Sequence, residues 1–262
     1  MRGQPVRVAA IDCGTNTIKL LVLDEDGADL EREMRIVRLG QDVDRTGRLA
    51  EEALERTFAA VEEYADLVAR HGVARVRFCA TSAPRDAANA ADFAAGVRAR
   101  LGVAPEVVSG DEEAALAWAG AKRGLPGLAG PVVVLDIGGG STELVLGSGA
   151  TPDAAHSMDI GSVRMTERHL RSDPPSADEV AACVADVESA LDACPVDPGA
   201  AVTLVGVAGT VTTLAAGVIG LTAYDRSATH GARLPVAQVH ALCDRLVGST
   251  AAERGQMAWL HP

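Results

Sequence analysis

Aromatic side chains are scarce in this sequence, with two Trp, two Tyr and three Phe among 262 residues. A pocket that grips a purine by stacking would have few rings to use, which favours a ligand recognised by its phosphates. Basic residues are also outnumbered, 24 Lys and Arg against 36 Asp and Glu, and the net charge of −12 argues against general binding to nucleic acid or to an anionic membrane surface. Although 48% of the residues are hydrophobic, no apolar run is long enough to span a bilayer. The first residues, Met1 to Arg7, lead straight into a strand without an h-region or small-residue cleavage site, so neither export nor a membrane span is expected. The five cysteines form no Cys-x-x-Cys pair, a pattern that fits reduced thiols in a cytoplasm better than disulfides or zinc. His-Glu-x-x-His, the Walker lysine loop and the Gly-x-Ser-x-Gly elbow are all missing, which removes three common catalytic classes.

What is present begins with Val132-Val-Val-Leu-Asp-Ile-Gly-Gly-Gly-Ser-Thr-Glu-Leu-Val-Leu-Gly147. The apolar, mostly β-branched run is a buried strand that delivers Asp136; three glycines and Ser141-Thr142 reverse the chain; Glu143 opens a second strand. Glycines lack Cβ, so consecutive backbone N–H groups can close on a phosphate oxygen: Gly138, Gly139, Gly140, Ser141 and Thr142 read as a phosphate cradle. Asp136 and Glu143 flank the turn, where carboxylates can hold a divalent cation and steer a water. A plain hairpin is the competing reading, and a second copy argues against it. Val8-Ala-Ala-Ile-Asp-Cys-Gly-Thr-Asn-Thr17 followed by Ile18 to Leu23 repeats the design, so Asp12, Gly14, Thr15, Asn16 and Thr17 form a second phosphate-binding set. The separation of the two turns suits one hairpin per domain, with phosphate bound in the cleft of two facing lobes. Cys13, inside the first turn, reads as a small packing residue rather than a reactive thiol.

The order of the remaining elements is that of mixed sheets flanked by helices. Strand is expected over 30–39, a helix over 50–71 with Leu54, Phe58, Val61, Ala65 and Val68 at helical spacing, and strand again over 73–80. Arg85 then stands at a loop mouth, followed by a helix over 89–101, a short strand over 105–109 and a helix opened by Asp111, Glu112 and Glu113. Residues 1–123 make a first lobe, the Gly- and Pro-rich segment 124–131 an interdomain hinge, and 132–262 a second lobe. Within that lobe a strand is expected over 154–159, a helix over 161–170, a helix after Ser176 that buries Val180, Val184, Val187 and Leu191, a core strand over 201–207, and helices over 211–220 and 236–249. Three acidic residues opening a helix are, by themselves, accounted for by the helix dipole. His230, lacking a metal-spaced partner, reads as structural.

Taken in order and spacing, Ala10-Ile-Asp-Cys-Gly-Thr-Asn-Thr17, Arg38-Leu-Gly-Gln41, Ala80-Thr-Ser-Ala-Pro-Arg-Asp86 with Asn89, Ser109-Gly-Asp-Glu-Glu-Ala114, Asp136 to Glu143, Gly161-Ser-Val-Arg164 and Ala208-Gly-Thr-Val-Thr-Thr213 resemble the exopolyphosphatase and guanosine pentaphosphate phosphohydrolase family. That family is a branch of the actin-like, sugar-kinase and Hsp70 ATPase superfamily. The resemblance implies an α/β fold of two actin-like (ribonuclease H-like) lobes with the active site in the interdomain cleft. It also implies that Glu113 is the catalytic base and that Arg85 neutralises charge on the transferred phosphoryl group. Mg²⁺, or another divalent cation, would be held by Asp136 and Glu143, with Glu113 a further candidate ligand. Arg38, Arg45, Arg48 and Arg164 are weaker candidates for guiding a phosphate chain. The family has Arg where this chain has Ala115, and its members continue past the position of Pro262 through a Gly-Arg-rich turn, a strand and a last helix, so the second lobe is expected to lack its closing elements. The expected activity is removal of terminal phosphate from inorganic polyphosphate, with guanosine pentaphosphate hydrolysis, a superfamily kinase and a non-catalytic phosphate-ligand sensor as alternatives. Neither nucleic acid nor membrane is expected as a partner, and formation of a homodimer is left open.

Overall fold

The computed structural model describes residues 6–260. Residues 1–5 and 261–262, read above for export signals and for the end of the chain, lie outside the described residues. The chain divides into two compact units, Met1–Gly110 and Asp111–Pro262.

The first unit is built on a sheet of order β3-β2-β1-β4-β5. Strands β1 (Val8–Cys13) and β2 (Thr17–Leu23) form the first hairpin; β3 (Asp29–Ile36) pairs antiparallel with β2; β4 (Arg75–Ala80) and the two-residue β5 (Glu106–Val107) continue in parallel from β1. Alternation along β1 and β2 puts Ala9, Ile11 and Cys13 opposite Val22, Leu20 and Ile18 on one buried face. The long helix α2 (Glu51–Arg70) presents Val61 and Tyr64 to that face, and α4 (Ala90–Leu101) presents Phe93 and Val97. Each such side chain contributes about 1.5–3 kcal/mol by leaving water. Phe78 meets Phe93 edge to face at 6.2 Å. Short helices α1 (Val43–Thr46) and α3 (Ser82–Asp86) complete the unit. Arg85 therefore lies in a helical turn rather than an open loop, because residues 82–86 wind directly off the end of β4.

The second unit repeats the plan with the order β8-β7-β6-β9: β6 (Val132–Ile137) and β7 (Thr142–Gly147) form the hairpin, β8 (Ala154–Met158) extends it antiparallel, and β9 (Thr203–Val207) runs parallel to β6. This sheet is covered on both faces, which explains why β6 is a continuous apolar run. On one side α5 (Gly110–Gly124) lays Ala114, Trp118 and Ala121 against Val132, Val134 and Val145. On the other, α6 (Ser162–His169) and α7 (Ala177–Asp192) cover Val133, Leu144 and Met158. The remaining helices are α8 (Ala208–Val218), α9 (Arg226–Thr229), α10 (Val236–Val247) and α11 (Ala251–Arg254), with a 3₁₀ turn at Pro198–Ala200.

Two local expectations change. Helix α5, assigned by sequence to the first lobe, packs with the second unit; the irregular stretch 124–131 lies inside that unit, its Leu125 and Leu128 resting on the same core. Helix α7 starts at the expected Ser176, which makes a full capping box with Glu179. It is turned, however, so that Cys183, Val187 and Ala190 face the core while Val184 and Leu191 stay 47% and 44% exposed. The small Cys and Ala side chains allow the helix closer to the sheet than its Val and Leu flank would.

Candidate active site

In the second hairpin, Asp136 at the end of β6 lies directly opposite Glu143 near the start of β7. The intervening turn closes on itself through Gly138 N–H to Ser141 O at 3.0 Å, and its other carbonyls are taken by the start of α6. Ser162 N–H donates to Gly138 O (3.0 Å), Val163 and Arg164 N–H to Gly139 O (2.9 and 3.1 Å), and Arg164 Nε–H to Gly140 O (2.7 Å). A trans peptide holds its C=O and N–H in opposite directions. Fixing the carbonyls of 138, 139 and 140 onto α6 thus turns the N–H groups of Gly139, Gly140 and Ser141 away from it. Those of Gly139 and Gly140 donate to no acceptor among the described residues. Successive N–H groups left without internal acceptors on a glycine turn are an arrangement suited to an anion.

The first hairpin uses the same device with different residues. Gly14 N–H donates to Thr17 O at 2.9 Å; Thr15 O accepts from Gly40 N–H (2.8 Å) and Asn16 O from Val37 and Arg38 N–H (3.0 and 2.9 Å). Each turn is seated on a glycine of a following segment. A Cβ on Gly40 would lie 2.2 Å from Thr15 Cγ2, and one on Gly161 would lie 2.6 Å from backbone atoms of Gly139 and Gly140. Asp12, exposed at the end of β1, is paired with Lys19 Nζ at 2.9 Å, so its charge is offset within the hairpin. Arg85 Nη1–H donates to Val108 O at 3.1 Å in the same unit.

What distinguishes the second turn is acid. Glu143 is 1% exposed and its Oε1 accepts from Ser157 Oγ–H at 2.7 Å. Burial, followed by the negative charge of Glu113, pushes its pKa up to about 8; the Ser157 hydrogen bond works in the opposite direction, and Asp136 raises it further. Glu113 in the first turn of α5, Asp136 on β6 and Glu143 on β7 therefore share one electrostatic neighbourhood within the second unit. Among the described residues no group of three or more His, Cys, Asp or Glu forms a ready-made metal chelate. Mg²⁺ does not require one, because it is held by one or two carboxylates together with water and substrate phosphate. Two carboxylates facing across the turn, in a field that opposes further negative charge, fit such an ion.

The raised pKa carries a stability consequence. The folded protein keeps on Glu143 a proton that the unfolded chain releases from its usual 4.5, so the favourable contribution is complete below about pH 4.5 and is lost as pH rises to about 8. At about 1.4 kcal/mol per unit the loss is on the order of several kcal/mol. In metal-free buffer, thermal melts from pH 5 to 9 are expected to fall steeply for the wild type, whereas Glu143→Gln flattens the alkaline limb; equal slopes for the two proteins would contradict this.

Several residues not singled out by sequence carry the site. Lys19 faces Asp12 and Ser157 faces Glu143 across paired strands, positions that follow from hairpin register once it is known. Gly40 and Gly161 sit in the quoted motifs, but their role is spatial. Of the arginines, Arg45 forms an exposed pair with Asp42 at 2.9 Å, Arg38 has a left-handed φ of 50° where its N–H serves the first turn, and Arg164 holds the second. Cys13 is fully buried and its thiol pKa is pushed up, chiefly by burial and then by Asp12, consistent with a packing role. His230 Nε2 contacts Gly124 O at 3.0 Å, a structural link.

Two mixed sheets, each built around a strand, glycine turn and strand hairpin and flanked by helices, define a two-unit class of α/β proteins. Within it the chain belongs to the Ppx/GppA phosphatase family, whose profile matches residues 22–262. It is 47% identical over 272 residues to exopolyphosphatase 2 of Mycobacterium tuberculosis, an alignment covering 98% of this chain and 84% of that protein. A crystallised exopolyphosphatase-like protein superposes with a TM-score of 0.95 at 45% identity, covering 98% of this chain and 82% of the other. The Ppx/GppA enzyme of Aquifex aeolicus gives 0.79 at 34% identity, covering 98% and 86%. No helix among the described residues is long and apolar enough to cross a membrane.

Proposed function

We propose that the chain is an exopolyphosphatase, a phosphoanhydride hydrolase that removes the terminal phosphate of inorganic polyphosphate. The observation that carries this reading is the placement of Glu113, Asp136 and Glu143 around a turn with free N–H groups, in a chain nearly half identical to a protein named exopolyphosphatase. The N–H groups of Gly139, Gly140 and Ser141 hold oxygens of the terminal phosphoryl group, with Thr142 anchored behind them through its hydroxyl to Ile160 O at 2.6 Å. Glu113 accepts a proton from a water whose oxygen bonds to phosphorus as the bridging P–O bond breaks, releasing phosphate and a polyphosphate one unit shorter. When bound by Asp136 and Glu143, Mg²⁺ supplies positive charge to the phosphate oxygens. In the first unit, Gly14 to Thr17 form a turn of the same kind, whose own anion binding is a separate proposal. Added Mg²⁺ is expected to restore much of the stability that Glu143 forfeits above pH 7, which melts with and without the ion will test.

A purine-bearing substrate is disfavoured by the fate of the aromatic residues. Five of the seven are held in the cores: Trp118, Tyr64, Phe78 and Phe93 are at most 1% exposed and Phe58 packs on the first core beneath Arg100, which leaves Tyr224, exposed, and Trp259, half-buried, as the remaining rings. The deciding assay measures phosphate release from short polyphosphate, long polyphosphate and guanosine pentaphosphate side by side, in Mg²⁺ and with no acceptor. Release from polyphosphate is expected. Release from guanosine pentaphosphate alone would transfer the assignment to its sister activity, and tight binding without turnover would make the chain a sensor.

A further inference from the structure

We propose that Arg164 is a positioning residue for the phosphate cradle, acting through the peptide that joins Gly140 to Ser141 rather than by touching the substrate chain. This rests on the phosphate-cradle reading above and names the side chain that keeps the cradle in shape.

The three peptide planes of the turn are held by unequal means. The first two, carrying the carbonyls of Gly138 and Gly139, are fixed by backbone N–H groups at the start of α6, with Ser162 Oγ–H adding a longer 3.3 Å bond to Gly138 O, so any residue at 162–164 except proline would supply the backbone bonds. The third, carrying the carbonyl of Gly140, is held by a side chain: Arg164 Nε–H donates to it at 2.7 Å. Gly140 is buried, and a glycine has no side chain of its own to restrict rotation of that plane. If the plane rotates, Ser141 N–H leaves the cradle, and with it one of three donors aimed at the terminal phosphate. A guanidinium donor forms a charge-assisted bond to the carbonyl and places fixed positive charge behind the peptide, polarising its N–H toward an anion on the far side. Arg164 reaches this position only because Gly161 allows the backbone of α6 to touch the turn.

A guide for the distal phosphate chain would behave differently. Removing a residue that contacts later phosphates weakens long substrates and spares short ones, whereas a fault in the cradle affects every substrate equally, since each presents the same terminal group.

The test compares wild type, Arg164→Gln and Arg164→Lys in the 262-residue chain. For Arg164→Gln, kcat/KM is expected to fall by the same factor, on the order of tenfold to a hundredfold, for tripolyphosphate and for long-chain polyphosphate. Arg164→Lys, which keeps a charged donor, is expected to recover part of it. In the ligand-free protein the amide resonance of Ser141 is expected to move in Arg164→Gln, with the melting temperature within a few degrees of wild type. A loss confined to long chains, with the Ser141 amide unmoved, would overturn the proposal. Should the wild type prove inactive on polyphosphate, titration with pyrophosphate decides alone: binding that perturbs Gly139, Gly140 and Ser141 in wild type and is weakened in Arg164→Gln supports it, and unchanged binding overturns it.

Discussion

Glu113→Gln is expected to abolish phosphate release from polyphosphate while leaving the fold and phosphate binding in place. Gln matches Glu in shape and can still orient a water, but it cannot accept the proton that the attacking water must lose. General-base removal of this kind lowers turnover on the order of a hundredfold to ten-thousandfold. Structural damage is not expected, because Glu113 opens α5 as a half-buried residue and its charge is the second largest cause, after burial, of the raised pKa of Glu143. Removing that charge lowers the field at Glu143, which should titrate at lower pH. Wild-type turnover in Glu113→Gln would remove Glu113 from the reaction.

The second large effect is expected from the smallest change, Gly161→Ala. The φ of Gly161 is −158°, extended backbone open to any residue, so conformational freedom is not the reason for glycine here. Space is the reason: the added methyl would stand 2.6 Å from Gly139 C and O and from Gly140 N. These are backbone atoms and cannot rotate aside, so α6 must move away from the turn and loosen the bonds from Ser162, Val163 and Arg164. Overpacking of this kind costs typically about 1–3 kcal/mol of stability. Activity should suffer more, since the N–H groups of the cradle are oriented by those bonds. Gly120→Ala provides the contrast. Gly120 lies on the exposed face of α5 with nothing within 4 Å of where its new methyl would stand, and a helical Gly→Ala exchange there should be neutral or stabilising. Equal activity of the two variants would show that contact between α6 and the turn is incidental.

These predictions draw on different depths of legibility. The turns could be read directly, because an apolar strand, Asp and consecutive small residues restrict the backbone to few shapes, and the repetition of that design at Asp12 and Asp136 made chance a poor explanation. Hairpin pairing was legible for the same reason. Glu113 was not visible to physical reading alone, since acids at a helix start are accounted for by the dipole; only the family resemblance singled it out. Gly and Pro between 124 and 131 mark the end of a helix, whereas the sheet on which α5 packs depends on which one receives Ala114 and Trp118, and no local pattern encodes that. Helix α7 carried a broad apolar stripe, and periodicity does not say which edge of such a stripe turns inward. Gly161 and Arg164 were quoted as motif residues, but their work depends on an approach between segments more than twenty positions apart, which no local pattern encodes.

The central claim is that the N–H groups of Gly139, Gly140 and Ser141 grip the terminal phosphate beside Glu113. It is tested most directly by titrating ¹⁵N-labelled Glu113→Gln protein with tripolyphosphate in Mg²⁺ and following the amide resonances. Saturable shifts centred on those three amides are the expected result. Saturable binding that leaves all three unmoved while amides elsewhere respond would contradict it.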